Sequence, residues 1–343
     1  MRLLKFLVLA TLVAVIAVVA IGLALPDTVH LERSISVRAR PATAYVALNS
    51  FKRFRQWSPW AGLDPKTLYA DEGPLWGVGA KLSWSSEHPS VGHGSQEIVA
   101  AVPYREIRSR LVFGGFGSDS ESTLAIAADG EGARITWSYD SRFNGDLLGR
   151  FLALKLDDWV GADYEQGLQR IRAMLEALPD VGADPLATIA LIEVPAQTLA
   201  LVSGEVRRSS DEAGRAALAD AYARLRAALA AKQIEVVGPP LAITRHFDEA
   251  TRDWRFDAAL PVAAAAAAAS DEMVRFVQGY AGPALRQRVV GPYDRIGPSY
   301  AALQAFRQAA GLADHGDAWE RYLSDPASTA AAAREVEIIW PVQ

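Results

Sequence analysis

The sequence predicts a mixed α+β protein: an apolar N-terminal helix, a curved antiparallel sheet with a long helix laid on it, then two copies of a strand-helix-strand-strand unit. Three observations carry this. Phe6 to Leu25 is an unbroken apolar run. Between Leu68 and Tyr139 short alternating segments are separated by turn residues, and after them Val160, Tyr164, Leu168, Ile171, Leu175 and Leu178 recur at helical spacing. Further on, Ile243-Thr244-Arg245-His246-Phe247-Asp248 stands before Arg255 to Val262 as Trp319-Glu320-Arg321-Tyr322 stands before Glu335 to Val342, which marks an internal repeat.

As a helix rising ~1.5 Å per residue, Phe6 to Leu25 matches a hydrocarbon core of ~30 Å. Residues 1–27 are therefore expected to be a membrane anchor. The alternative is a cleaved signal peptide, with Ala20 and Gly22 offering a cleavage site, but its apolar core of ~7–15 residues is shorter. Arg2 and Lys5 precede the run, which favours a cytoplasmic N-terminus and extracytoplasmic domains, periplasmic in a cell that has a periplasm. The lipid bilayer is thus an expected partner.

Val29, Leu31, Ile35 and Val37 alternate with His30, Glu32, Ser34 and Ser36 as a half-buried strand. Pro41 opens a helix carrying Tyr45, Val46, Leu48 and Phe51. The aromatic stretch Phe51 to Trp60 follows, and its Trp57-Ser58-Pro59-Trp60 end suits the rim of an apolar cavity, although core packing uses the same rings. Strands are expected at Lys81 to Trp84, Ile98 to Val102, Ile107 to Phe113, Leu124 to Ala127 and Ile135 to Tyr139, the last two joined by Asp129-Gly130-Glu131-Gly132. The stripe ending at Leu178 must lie on their sheet. This order of elements, with Val37-Arg38-Ala39-Arg40-Pro41-Ala42, Trp57 to Trp60, Gly77-Val78-Gly79-Ala80, Trp84 and Glu165-Gln166-Gly167-Leu168, resembles the polyketide cyclase or START-like helix-grip (SRPBCC) superfamily over residues 28–178. The resemblance implies a deep, mostly apolar cavity, with Trp57, Trp60 and Trp84 as ligand contacts. It implies no single reaction, since the superfamily includes carriers, receptors and cyclases.

Residues 179–185, with Gly182 and two prolines, read as a linker. The repeat occupies 186–343, in halves of about 186–262 and 270–343, with the alanine run from Ala263 to Ala269 as a spacer. A helical pattern precedes each copy: Tyr222, Leu225 and Leu229, then Tyr300, Leu303 and Phe306. Units this small pair about a pseudo-two-fold and leave a groove. In an alternating strand Glu320 and Tyr322 share one face, where the first copy has Thr244 and His246, so only the second copy supplies a carboxylate. Together with Gly238-Pro239-Pro240, Pro261-Val262, Gly291-Pro292-Tyr293 and Ile338 to Val342, these motifs resemble the GyrI-like, or AraC-type effector-binding, domain. That resemblance implies a pocket for bulky, often cationic or aromatic, organic molecules, with Glu320 as its acidic residue and Tyr293, Tyr322 and His246 as further contacts. Some members of that family are ligand sensors fused to DNA-binding domains and some are reported as hydrolases; no helix-turn-helix pattern is visible here.

A carboxylate in an apolar groove attracts a cation or, with a raised pKa, acts as a general acid or base. The plainer reading of Glu320 is a strand residue paired with an arginine. The absence of cysteine excludes disulfides, thiolate metal sites and a cysteine nucleophile. A net charge of −5 with scattered Lys and Arg argues against a general nucleic-acid binder. His88 and His93 fit no metal spacing, Gly73, Gly77 and Gly79 lie in no strand-turn-helix unit, and no Gly-x-Ser-x-Gly elbow occurs, so no metal and no cofactor are expected. The expected function is membrane-anchored binding of small hydrophobic or amphiphilic, including cationic, molecules. Hydrolysis through Glu320 and ligand sensing for a membrane partner are the alternatives.

Overall fold

The computed structural model describes residues 2–114, 119–208, 210–263 and 274–343. The chain divides into two compact units, Met1–Ala183 with Ala309–Gly311, and Asp184–Gln308 with Leu312–Gln343. Each carries one antiparallel sheet.

The first unit opens with α1 (Arg2–Ala24). Its stretch Leu4–Ala24 is 21 residues of largely exposed side chains, apolar apart from Lys5 and Thr11, long enough for a membrane span, and a signal sequence has the same character. Next come β1 (Thr28–Val37), α2 (Pro41–Leu48), α3 (Phe54–Trp57), β2 (Leu68–Glu72), β3 (Lys81–Ser85), β4 (His93–Val102), β5 (Glu106–Phe113), β6 (Asp119–Asp129), β7 (Gly132–Arg142), α4 (Leu147–Ala153) and α5 (Leu156–Glu176). The sheet runs β1-β7-β6-β5-β4-β3-β2, a meander closed by the first strand. Asp157 and Asp158 sit in the first turn of α5, where the helix dipole favours acids. The helix lays Leu168, Ile171 and Leu175, each at most 2% exposed, against the sheet. Each contributes ~1.5–3 kcal/mol on full burial, which makes this stripe the main attachment of helix to sheet. At Gly167 the sheet's Trp137 comes so close that a Cβ would lie 2.6 Å from the indole.

The second unit contains β8 (Ile189–Val194), β9 (Thr198–Val206), α6 (Asp211–Ala231), β10 (Leu241–Phe247), β11 (Trp254–Val262), β12 (Arg275–Gln278), β13 (Gly282–Val290), α7 (Ile296–Ala310), β14 (Trp319–Tyr322) and β15 (Glu335–Pro341). Its sheet order, β12-β9-β11-β10-β14-β15-β13-β8, is a palindrome of the repeat. Each half has a leading strand beyond the expected strand-helix-strand-strand: β8 and β12, each paired with the first strand of the opposite half. Small details repeat too. Val236 bridges Val262 as Asp314 bridges Val342, and Arg245 pairs with Asp257 as Arg321 pairs with Glu337.

Every strand of this sheet sends a side chain into one apolar cluster, from Val194 of β8 to Val277 of β12, so the sheet curls around it. On the other face α6, begun by Ser210, whose hydroxyl accepts from the Ala213 amide at 3.1 Å, sets Leu225 and Leu229 against Ala200, Val202, Leu260 and Val262. Apart from Ala263, the alanine spacer lies outside the described residues.

Candidate functional site

Between sheet and helix the first unit holds a cavity of about 370 Å³, within the ~300–1,000 Å³ of small-molecule sites. Trp137 of β7 stacks on Tyr164 of α5 with ring centroids 3.9 Å apart, and Trp60 meets the two edge-on at 6.0 and 6.2 Å. Trp84 of β3 meets Phe113 at 6.0 Å. The indole N–H groups of these three tryptophans are satisfied within the protein: Trp137 donates to the Ser122 hydroxyl at 2.8 Å, Trp60 to Asp163 at 3.1 Å, and Trp84 to the Val91 carbonyl at 3.2 Å. What these rings offer the cavity is therefore mainly carbon. Burial pushes the Tyr164 phenol far above its usual range and keeps it neutral. Among the described residues, none lining the cavity is an acid, a base or a histidine.

The second unit places a charge instead. Glu320 is 8% exposed on β14, and its carboxylate accepts a hydrogen bond from the Tyr322 hydroxyl two residues on, as strand alternation requires. Burial raises the Glu320 pKa, against the lowering influence of the Tyr322 and Tyr300 hydroxyls. Tyr222 of α6, Tyr293, Tyr300 of α7 and Tyr322 all feel this carboxylate, and burial raises the pKa of all four. The Tyr300 hydroxyl faces both Glu320 and Thr244, while the buried hydroxyl of Tyr222 has no hydrogen-bond partner among the described residues. The site is a carboxylate ringed by phenols, able to hold a cation, to donate hydrogen bonds or to move a proton. Arg334 already lies over the Tyr293 ring, at 5.0 Å.

Residues 28–176 match the family of polyketide cyclases, dehydrases and lipid transport. Among curated proteins none matches the chain. Similar solved structures include a hydrolase from Listeria innocua, 18% identical, with 46% of this chain and 92% of that one covered at a TM-score of 0.34. An uncharacterized conserved protein from Listeria innocua is 20% identical, with 51% and 98% covered at 0.36. An EcmrR–DNA complex is 15% identical, with 59% and 86% covered at 0.40. That neighbour is bound to DNA, and the expectation of no nucleic-acid partner for this chain stands on its own charge and composition alone.

In the polyketide cyclase-like unit, Trp60 and Trp84 line the cavity, while Trp57 packs one layer back, buried and edge-on to Trp137 at 5.3 Å. In the second unit Tyr322 and Tyr293, 5.9 Å apart, gather at Glu320. His246 does not join them. The register of β10 against β11 slips between Thr244 and His246, and the bulge breaks strict alternation, leaving His246 exposed; Arg245 bonds Asp257 at 2.7 Å and Asp317 at 2.6 Å. Thr244 accepts from the Trp254 indole at 3.2 Å and lies near Tyr300. Sequence reasoning placed Tyr222 and Tyr300 only on helical stripes. The signal was present, since a tyrosine on an otherwise apolar stripe carries a hydroxyl into the interior.

Proposed function

We propose that the chain is a membrane-anchored binding protein for small hydrophobic or amphiphilic molecules, held by α1 and taking its ligand in the cavity of the first unit. The carrying observation is the cavity wall: predominantly aromatic and aliphatic with a few neutral polar groups such as Ser58 and Gln96, the indole N–H groups of Trp60, Trp84 and Trp137 bonded within the protein, and no carboxylate, amine, guanidinium or histidine among the described lining residues. An apolar ligand gains ~25 cal/mol for each Å² it removes from water there, while the described lining residues include no carboxylate, amine or imidazole to act as a base near neutral pH, which favours binding over turnover. The family match over 28–176, whose description includes lipid transport, supports the same reading. Arg2 and Lys5 ahead of the apolar run favour a cytoplasmic N-terminus with both units outside. The GyrI-like motifs and the ring of tyrosines around Glu320 support a second, cation-preferring site. The raised Glu320 pKa is the observation in favour of the alternative, hydrolysis with this carboxylate as general base.

Native mass spectrometry of the detergent-purified chain is expected to detect co-purified small molecules. An apolar fluorescent probe should bind saturably, and Val160→Trp, which fills the cavity, should weaken it by about ten-fold or ~1.4 kcal/mol. Unchanged affinity in a variant that melts like the parent would place the ligand elsewhere.

A further inference from the structure

The cavity wall includes side chains that also face solvent. Leu152, at the end of α4, and Trp159, in the first turns of α5, line the cavity and are 37% and 58% exposed. They put its mouth at the α4–α5 corner. Leu148 and Leu154 of the same corner are 66% and 62% exposed, so four large apolar groups crowd one edge of the unit. A cluster of this kind on a folded unit marks a surface that meets another apolar phase.

The position of that corner relative to α1 identifies the phase. Leu147 and Phe151 of α4 pack on Gly22, where a Cβ would lie 3.0 Å from the Phe151 ring. The Arg150 guanidinium donates to the carbonyls of Gly22, Leu23 and Leu25 at 3.4, 3.4 and 3.1 Å, and to Asp27 at 2.7 Å. It thereby caps the end of α1, where carbonyls lack helical partners and the dipole favours a cation. Gly22 belongs to the apolar stretch Leu4–Ala24 itself, two residues from its end, or ~3 Å along a helix axis. A helix clamped at that level lies where hydrocarbon gives way to headgroups, the depth at which tryptophan is favoured.

We propose that the α4–α5 corner dips into the bilayer surface beside α1, so that the cavity opens towards the hydrocarbon and receives the tail of a long-chain, lipid-like amphiphile without exposing it to water. This rests on reading α1 as a membrane span. It adds a docking surface, an orientation and a ligand source.

The chain has no cysteine, so single cysteines at Leu148→Cys, Leu154→Cys and Glu131→Cys can each be labelled with an environment-sensitive fluorophore. All three positions are exposed. Glu131 lies in the β6–β7 turn, at the far end of a β1–β7 ladder that runs from Thr28↔Arg142 to Val37↔Ala133, about 30 Å at ~3.3 Å per residue. The full chain is reconstituted into phosphatidylcholine vesicles with plain or brominated acyl chains. Expected is loss of fluorescence to the brominated lipid at 148 and 154 and none at 131. Vesicle-bound chain without that loss overturns the docking while α1 stands as an anchor. A chain that does not float with the vesicles overturns both. Shielding at 148 that follows the protein-to-lipid ratio instead of bromination assigns the corner to a second copy and also overturns the proposal.

Discussion

Replacing Glu320 by glutamine keeps the shape of the buried site and removes its charge. The amide still accepts the Tyr322 hydroxyl, but as a neutral bond worth ~0.5–1.5 kcal/mol instead of a charge-assisted one of ~1.5–3. Against that loss stands relief from burying an ion, which costs several kcal/mol unless fully paired, and the nearby Tyr222 hydroxyl makes no bond among the described residues. The melting temperature of Glu320→Gln at neutral pH should therefore equal or exceed that of the parent. Burial raises this carboxyl pKa above 4.5, so the folded chain holds the proton to higher pH than the unfolded one. Its contribution is most favourable below the ordinary carboxylate range and is lost as pH rises through the raised pKa. The stability gap in favour of the variant should thus widen from about pH 4 upward. For a lipophilic cationic dye, loss of the carboxylate should cost ~1–3 kcal/mol, or about 5- to 100-fold in affinity, with Thr244→Val costing less. The assays are dye titration and thermal melts of the detergent-solubilised full chain at several pH values. A variant that binds dye as tightly as the parent but melts well below it would make Glu320 a structural partner and not a ligand contact.

Other perturbations probe the remaining elements. Leu168→Asp sets a charge on the α5 stripe, at a position 2% exposed, and should cost ~3 kcal/mol or more by denaturant unfolding, whereas exposed Gln169→Asp should cost little; equal losses would mean the stripe faces elsewhere. With α1 as an uncleaved span, the full chain should stay in membranes through a carbonate wash and a C-terminal alkaline phosphatase fusion should be active. An inactive phosphatase beside an active cytoplasmic reporter would reverse the orientation, and a mature protein lacking its first residues would establish a signal sequence.

Periodicity determined a good deal without coordinates. The alternation of Val29 to Val37 reappears as strand β1, and Tyr164, Leu168, Ile171 and Leu175 are buried as the stripe requires, because a residue's face within one regular element follows from its spacing alone. The repeated motifs foretold a pseudo-two-fold pairing of the halves, though not the leading strands β8 and β12 that complete the eight-stranded sheet, and Glu320 with Tyr322 meets at two-residue spacing within a single strand. What depended on several elements at once was decided only by tertiary structure. Trp57 and Trp60 are both aromatic and three apart, yet only Trp60 reaches the cavity, since layer depth is set by what packs behind each ring. His246 left its expected face because one bulge breaks strict alternation, and no residue type in Thr244-Arg245-His246 announces it. Tyr222 and Tyr300 reach Glu320 from α6 and α7, far apart in the chain, and Arg150 finds the end of α1 in the same way. Such meetings are long-range: they arise when separate apolar faces bury one another, and the polar groups carried along then find their partners.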